Sequence, residues 1–305
     1  MVKVLVSDPI HEDGVEMLRK AGFSVDLWTD ITAEELLEVI GGYDAIVVRS
    51  RTKLTAEVLE KAAGLKAIAR AGVGLDNIDT GYAEEKGVEI FNSPEAPCNA
   101  VAELVVGLML CMARHITVAD STMKQGRWEK NRLTGIELGG RTLGVIGFGR
   151  IGYTVGRKAR ALGMEVLAYD VQMDKLRRYV EEIGADDVDL DTLLAESDFV
   201  TVHVPLLPQT RHMINAEQFE KMKDGVYVVN AARGGVVDEA ALKSALDSGK
   251  VAGAALDVYE SEPSPDPGLV ERANVVCTPH IGAGSVEAQR GNSTIVAEKL
   301  IEYFG

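Results

Sequence analysis

The sequence predicts an α/β protein made of two doubly wound, parallel-sheet domains. Three observations carry that expectation. Short apolar runs of strand type alternate with helix-type segments along nearly the whole chain. Glycines at G-x-G-x-x-G spacing sit between one such strand and the helix after it. A turn-rich break and one long apolar helix interrupt the alternation once, near residue 97.

Residues 2–7 read as a strand and residues 12–21 as a helix closed by Gly22. A strand over 25–28 precedes a helix over 32–40, where Thr32 and Glu35 have capping-box spacing. The strand over 45–48 runs into Arg49-Ser50-Arg51-Thr52-Lys53. After a helix over 56–63, a strand over 66–69 runs into Arg70-Ala71-Gly72-Val73-Gly74. A strand over 88–91 completes a small α/β unit, and Asn92 to Pro97 forms the break. A helix over about 99–124 is apolar on most faces, so it has to be buried between domains or in a subunit interface.

Residues 141–170 organise the second half. A strand over 142–146 leads to Gly147, Gly149 and Gly152, then a helix over 151–162, then a strand over 164–169 that ends in Asp170. Gly147 permits the tight turn, Gly149 lets a pyrophosphate approach the backbone, and Gly152 lets helix and strand pack closely. The helix N-terminus then faces the phosphates. Asp170 can accept hydrogen bonds from ribose hydroxyls and would repel a 2′-phosphate, which favours NAD over NADP. Beyond it the alternation resumes. Helices are expected over 175–183, 190–195, 216–222, 238–247 and 285–303, with Asp238 and Ser285 as N-caps. Strands are expected over 198–203, 225–231, 251–256 and 274–278, and residues 264–268 as a surface loop.

The 305 residues suffice for two domains of ordinary size, with the 46% hydrophobic and 26% charged content of a soluble globular protein. The net charge of −15 argues against nucleic acid or an anionic membrane as main partner, and an anionic substrate would need a local basic pocket. Cys98, Cys111 and Cys277 form no C-x-x-C pair, so free thiols in a reducing cytoplasm are expected, without zinc or disulfides. No signal-peptide pattern precedes the first strand, and no apolar run reaches the roughly 18 residues of a membrane span.

In open parallel sheets, ligands bind beyond the carboxyl ends of the strands. There the chain carries Arg49 to Lys53, Arg70 to Gly74, Gly147 to Gly152, Asp170, His203-Val204-Pro205, Ala232-Arg233, Asp257 and Thr278-Pro279-His280. Arg233 precedes two glycines, and its guanidinium fork suits a carboxylate; a surface arginine beside a turn is the other reading. His280 follows a proline and suits proton exchange with a hydroxyl, although an isolated histidine is more often structural. Glu262, 18 residues earlier, would orient the ring if the two meet. His203 suits a cofactor-side or structural role.

The chain resembles the D-isomer-specific 2-hydroxyacid dehydrogenases over its full length. Three stretches carry this: Leu143 to Asp170, Asp198 to Leu206 with Thr210, and Met222 to Asp238. The resemblance implies a Rossmann NAD-binding domain over 98–283 and a smaller flavodoxin-like substrate domain from 1–97 with 284–305, with a cleft between them. It places the catalytic set on Arg233, Glu262 and His280. It implies a cofactor site from Gly147, Gly149, Arg150, Ile151, Gly152, Asp170, His203, Pro205, Thr210, Ala231, Ala232, Arg233, Asp257, His280 and Gly282. Asp257 would sit near the nicotinamide amide. It implies an acid site from Arg49, Ser50, Arg70, Gly72, Val73, Gly74, Asn99, Arg233 and His280. No metal is implied.

Residues 48–55, 70–79 and 123–129 resemble most the family members that oxidise 3-phospho-D-glycerate at the head of serine biosynthesis, where Arg49 and Arg70 would hold the phosphate. Glyoxylate/hydroxypyruvate and D-lactate are the alternative substrates, and an NAD-sensing binding protein, like the resembling corepressors, is the alternative class. The family also implies a homodimer or homotetramer, with Lys130 or Arg132 reaching a neighbour's site. Gly305 leaves no room for the C-terminal serine-sensing domain of longer members, so feedback through one is not expected.

Overall fold

The computed structural model describes all residues 1–305. They divide into two compact units, one of residues 1–100 with 283–305 and one of residues 101–282. The first holds strands β1 (Lys3–Val6), β2 (Ser24–Leu27), β3 (Ala45–Val48), β4 (Ala67–Arg70) and β5 (Glu89–Asn92). These form one sheet in the order β2-β1-β3-β4-β5, with every pair parallel.

The second unit holds β6 (Thr142–Ile146), β7 (Glu165–Tyr169), β8 (Asp186–Asp187), β9 (Phe199–Val202), β10 (Val226–Asn230), β11 (Val251–Leu256) and β12 (Val275–Cys277). Their order is β12-β11-β10-β9-β6-β7-β8, again parallel throughout. The expected α/β class with two parallel sheets is therefore the observed one.

Alternate residues of each strand feed different cores. Leu143, Val145, Val166 and Ala168 pack on one face of the larger sheet, while Ile146, Leu167, Val200 and Val202 pack on the other. A parallel sheet whose crossover helices cover both faces needs this two-sided apolarity. In the smaller sheet Leu5, Ile46 and Ile68 face one core, and Val4, Val6, Val47 and Ala69 face the other. The final helix, Val286–Phe304, packs Val296, Ala297 and Leu300 into that second core. Thr32 and Glu35 make both bonds of the expected capping box, and Asp238 and Ser285 cap their helices as expected.

Two expectations are corrected. The helix expected over about 99–124 is two helices, Cys98–Ala113 and Ile116–Lys124, bent by 67° at the break. The Ala113 carbonyl, which an unbroken helix would keep, accepts from the Ile136 N–H at 2.8 Å, and His115 turns left-handed with φ +52°. The first helix is buried through Val101, Val105 and Met109, whereas the second exposes Ile116 and Met123. The loop expected over 264–268 gives way at Pro267–Val270 to a helical turn capped by Asp266, with proline where a first helical residue needs no N–H. No single helix is long and apolar enough to cross a membrane.

Candidate active site

The three motif glycines have the steric surroundings their spacing predicts. Gly147 leaves β6 at φ +89°, and a Cβ there would lie 2.9 Å from the His203 carbonyl. A Cβ on Gly152 would stand 2.2 Å from the Gly147 carbonyl oxygen, so helix and turn could not close. Gly149 differs: a Cβ there would meet nothing within 4 Å. It is the N-cap of the helix Arg150–Ala161 and offers no side chain to the first turn, which leaves room there for a phosphate to approach. Asp170 stands one residue beyond β7, its Oδ1 accepting the Gln172 N–H at 2.8 Å. These residues fit a dinucleotide, with Ile151 inside the first turn of that helix.

The next strand end is different in character. His203 lies beyond β9 with its Nε2 3.0 Å from Thr201 Oγ1, and its Nδ1 is buried and bonds to no protein atom. Burial pushes its pKa down to about 4, so the ring is neutral near pH 7. Between pH 6.5 and 4 the unfolded chain takes up a proton here that the folded chain refuses. Stability is thus full above pH 6.5 and falls as pH drops toward 4, by about 3 kcal/mol in total. Urea unfolding at pH 7 and 4.5 measures this: His203→Asn should lose much less than wild type, and an equal loss in both would refute the assignment. The Thr210 hydroxyl closes the following loop, bonding Pro205 O at 2.6 Å and accepting the Leu207 N–H at 2.8 Å.

β10, β11 and β12 are neighbours, and the expected catalytic residues all follow them. Arg233 lies in a turn that buried Asn230 clamps: its Nδ2 donates to Arg233 O at 3.0 Å and its Oδ1 accepts the Ala232 N–H at 3.1 Å. Ala231 is the buried link from β10 into that turn. A Cβ on Gly234 would sit 1.8 Å from the Tyr259 carbonyl oxygen, so this turn rests directly on the loop after β11. That loop carries Glu262. Its Oε1 accepts the Tyr259 N–H at 3.0 Å and its Oε2 lies 2.8 Å from His280 Nδ1. The carboxylate and the imidazole do meet, and His280 takes φ +54°. Asp257 is buried beneath. It accepts from Thr278 Oγ1 at 2.6 Å and from the Ile281 and Gly282 N–H groups at 2.8 Å. These three bonds brace the His280 loop and leave the carboxylate acceptor capacity over.

In the first unit, Arg70 ends β4 and Arg49 follows the paired end of β3. The Arg70 guanidinium occupies the space where a Gly72 side chain would be, which requires the glycine. Val73 O accepts from Asn92 at 2.8 Å, and Ser50 and Gly74 lie in the same two loops. Asn99 lies in the first turn of the helix Cys98–Ala113. Arg51 does structural work instead: its Nε donates at 3.0 Å to buried Asp8, which also accepts the Arg49 N–H at 2.5 Å.

Residues 106–282 match the sequence profile described as "D-isomer specific 2-hydroxyacid dehydrogenase, NAD binding domain". The chain belongs to the D-isomer-specific 2-hydroxyacid dehydrogenase family. It is 52% identical to a protein named D-3-phosphoglycerate dehydrogenase from Archaeoglobus fulgidus, over 98% of this chain and 57% of that one. The chain thus spans little more than half the length of that relative. It is 47% identical to one named hydroxypyruvate reductase from Thermotoga maritima, over 99% of this chain and 98% of the other. Among solved structures, a glyoxylate reductase from Paecilomyes thermophila superposes with a TM-score of 0.88 at 34% identity, covering 98% and 94% of the two chains.

Sequence reasoning gave no role to two residues that shape this dehydrogenase-family site. Asn230 had a signal, since a polar side chain ending a buried apolar strand has to be bonded to something. Tyr259 had none, because the carbonyl that ties it to the His280 turn, Thr278 O, lies 19 residues away.

Proposed function

We propose that the protein oxidises the 2-hydroxyl of 3-phospho-D-glycerate to 3-phosphohydroxypyruvate with NAD, the entry step of serine biosynthesis. The observation that carries the reaction type is the 2.8 Å contact between Glu262 and His280. With Nδ1–H donated to Glu262, the imidazole keeps its Nε2 lone pair for the substrate hydroxyl proton. Glu262 holds the ring's direction and balances the imidazolium. Arg233 holds the carboxylate and polarises the forming carbonyl. NAD, when bound, supplies the hydride acceptor, held by Gly147 to Gly152 at its phosphates and by Asp170 at its ribose. The exposed Ile116, Met123 and Trp128 suit a homodimer surface, and three cysteines outside any disulfide suit a reducing cytoplasm.

Substrate choice rests on Arg49 and Arg70 at paired strand ends, a local basic site in a chain of charge −15. NADH formation at alkaline pH, compared among 3-phospho-D-glycerate, D-glycerate and D-lactate and with NADP in place of NAD, tests the reading. Each charge-assisted phosphate contact is worth about 1.5–3 kcal/mol, so Arg49→Ala and Arg70→Ala should each lower kcat/KM for the phosphorylated acid roughly 10- to 100-fold. D-Glycerate turnover should change little. Wild-type kcat/KM for the phosphorylated acid in both variants would sink the phosphate assignment. Reduction of hydroxypyruvate is the second reading, favoured by the Thermotoga maritima relative that matches along its whole length.

A further inference from the structure

Tyr259 bonds Glu262 by one group and the turn that carries His280 by another. Its backbone N–H donates to Glu262 Oε1 at 3.0 Å. Its side chain turns the other way, and the hydroxyl lies 3.0 Å from both Leu256 O, at the end of β11, and Thr278 O, just past β12. The Thr278 carbonyl is the one that shapes the His280 backbone. It accepts the His280 N–H at 3.1 Å, closing a three-residue turn over Pro279. His280 leaves that turn at φ +54°, a conformation a side-chain-bearing residue keeps only when its surroundings impose it.

Further restraints on this turn come from the Thr278 N–H, which donates to Leu256 O at 2.9 Å, and from one carboxylate. Asp257 holds Thr278 Oγ1, Ile281 N and Gly282 N, flanking the turn on both sides. None of those bonds reaches Glu262. Tyr259 bonds Glu262 itself as well as the Thr278 carbonyl, and so bears on where the carboxylate stands relative to the imidazole.

We propose that Tyr259 is a positioning residue for the couple, its N–H fixing the Glu262 carboxylate and its hydroxyl fixing the turn that aims His280. The inference deepens the proposed function and rests on it for the role of His280. Burial holds the Tyr259 hydroxyl well above the ordinary tyrosine range, so it keeps its proton at any working pH. Phenylalanine would fill the same volume and keep the backbone N–H, but would leave the Thr278 carbonyl braced by one donor fewer. The His280 turn then gains freedom against a carboxylate that stays in place. Proton transfer depends on that alignment, whereas NAD binding does not.

The test is Tyr259→Phe in the full chain. With the best 2-hydroxy acid, kcat should fall about tenfold while KM for NAD and for the acid stay within about twofold. The isotope effect on kcat for substrate deuterated at C2 should rise, since the chemical step becomes slower. Independently of turnover, ring 1H–15N correlations of His280, assigned by their loss in His280→Gln, should show the proton held on Nδ1 in wild type and shared between both nitrogens in Tyr259→Phe. Wild-type kcat together with an unchanged His280 ring spectrum overturns the proposal. So does an activity loss that appears wholly in KM for NAD, which would make the hydroxyl a packing element alone. If wild-type protein turned over no 2-hydroxy acid, the proposed function would fail, and the ring spectrum alone would still decide whether Tyr259 positions His280.

Discussion

His280→Gln should lower kcat for every 2-hydroxy acid about a thousandfold, while NADH still raises the melting temperature. A positioned general base contributes typically 10²- to 10⁴-fold, and glutamine cannot take a proton. The substitution keeps the length of the side chain and an amide that can still bond Glu262, so the loop held by Asp257 has no reason to move. Glu262→Gln should cost less, because the ring remains while its orienting charge is lost. A kcat above about one-tenth of wild type in His280→Gln would mean that another group takes the proton, and the assignment of base would be wrong.

Gly234→Ala should cost about 3 kcal/mol of stability and lower the melting temperature by roughly 10 °C. The added methyl would stand 1.8 Å from the Tyr259 oxygen, 2.2 Å from its carbonyl carbon and 2.8 Å from the Glu260 nitrogen. These are backbone atoms, which cannot swing aside as a flexible side chain can. The Arg233 turn and the Glu262 loop must separate, so activity should fall together with stability. Gly139→Ala is the control: a Cβ there meets only Leu162 O at 3.6 Å, an ordinary contact. Thermal melts of the two variants decide the matter, and equal melting temperatures would refute it.

What could be read in the sequence was what neighbouring residues determine. The G-x-G-x-x-G turn was legible because each glycine's task is set within a few residues, and Gly147 and Gly152 have the close contacts expected. The strand ends were legible because the strands are continuous apolar runs. The break after Ala113 was not, since it arises when the carbonyl bonds Ile136, 23 residues away. Arg51 stood outside the acid site that the resemblance implies, but its structural role was not legible, because its partner Asp8 lies 43 residues earlier. The meeting of Glu262 and His280 was conditional in the sequence, because the chain between them includes a helical turn and β12. Tyr259 was invisible for the same reason, its partners being spread from Leu256 to Thr278.

The final helix carries a consequence for biosynthesis. β1 to β5 leave the ribosome ahead of the second unit, yet one face of their sheet gains Val296, Ala297 and Leu300 only from residues made after that unit. Gly14, in the first helix, has no room for a side chain because it rests on Ser293 O. Residues 101–282 are contiguous and carry their own two cores, so they can close as soon as they emerge. Residues 1–100 therefore wait with Val4, Val6 and Ala69 covered by Leu18 of the first helix but not yet by the final one while the later unit folds ahead of them, the interval in which such a chain is most exposed to misassembly and to chaperone capture.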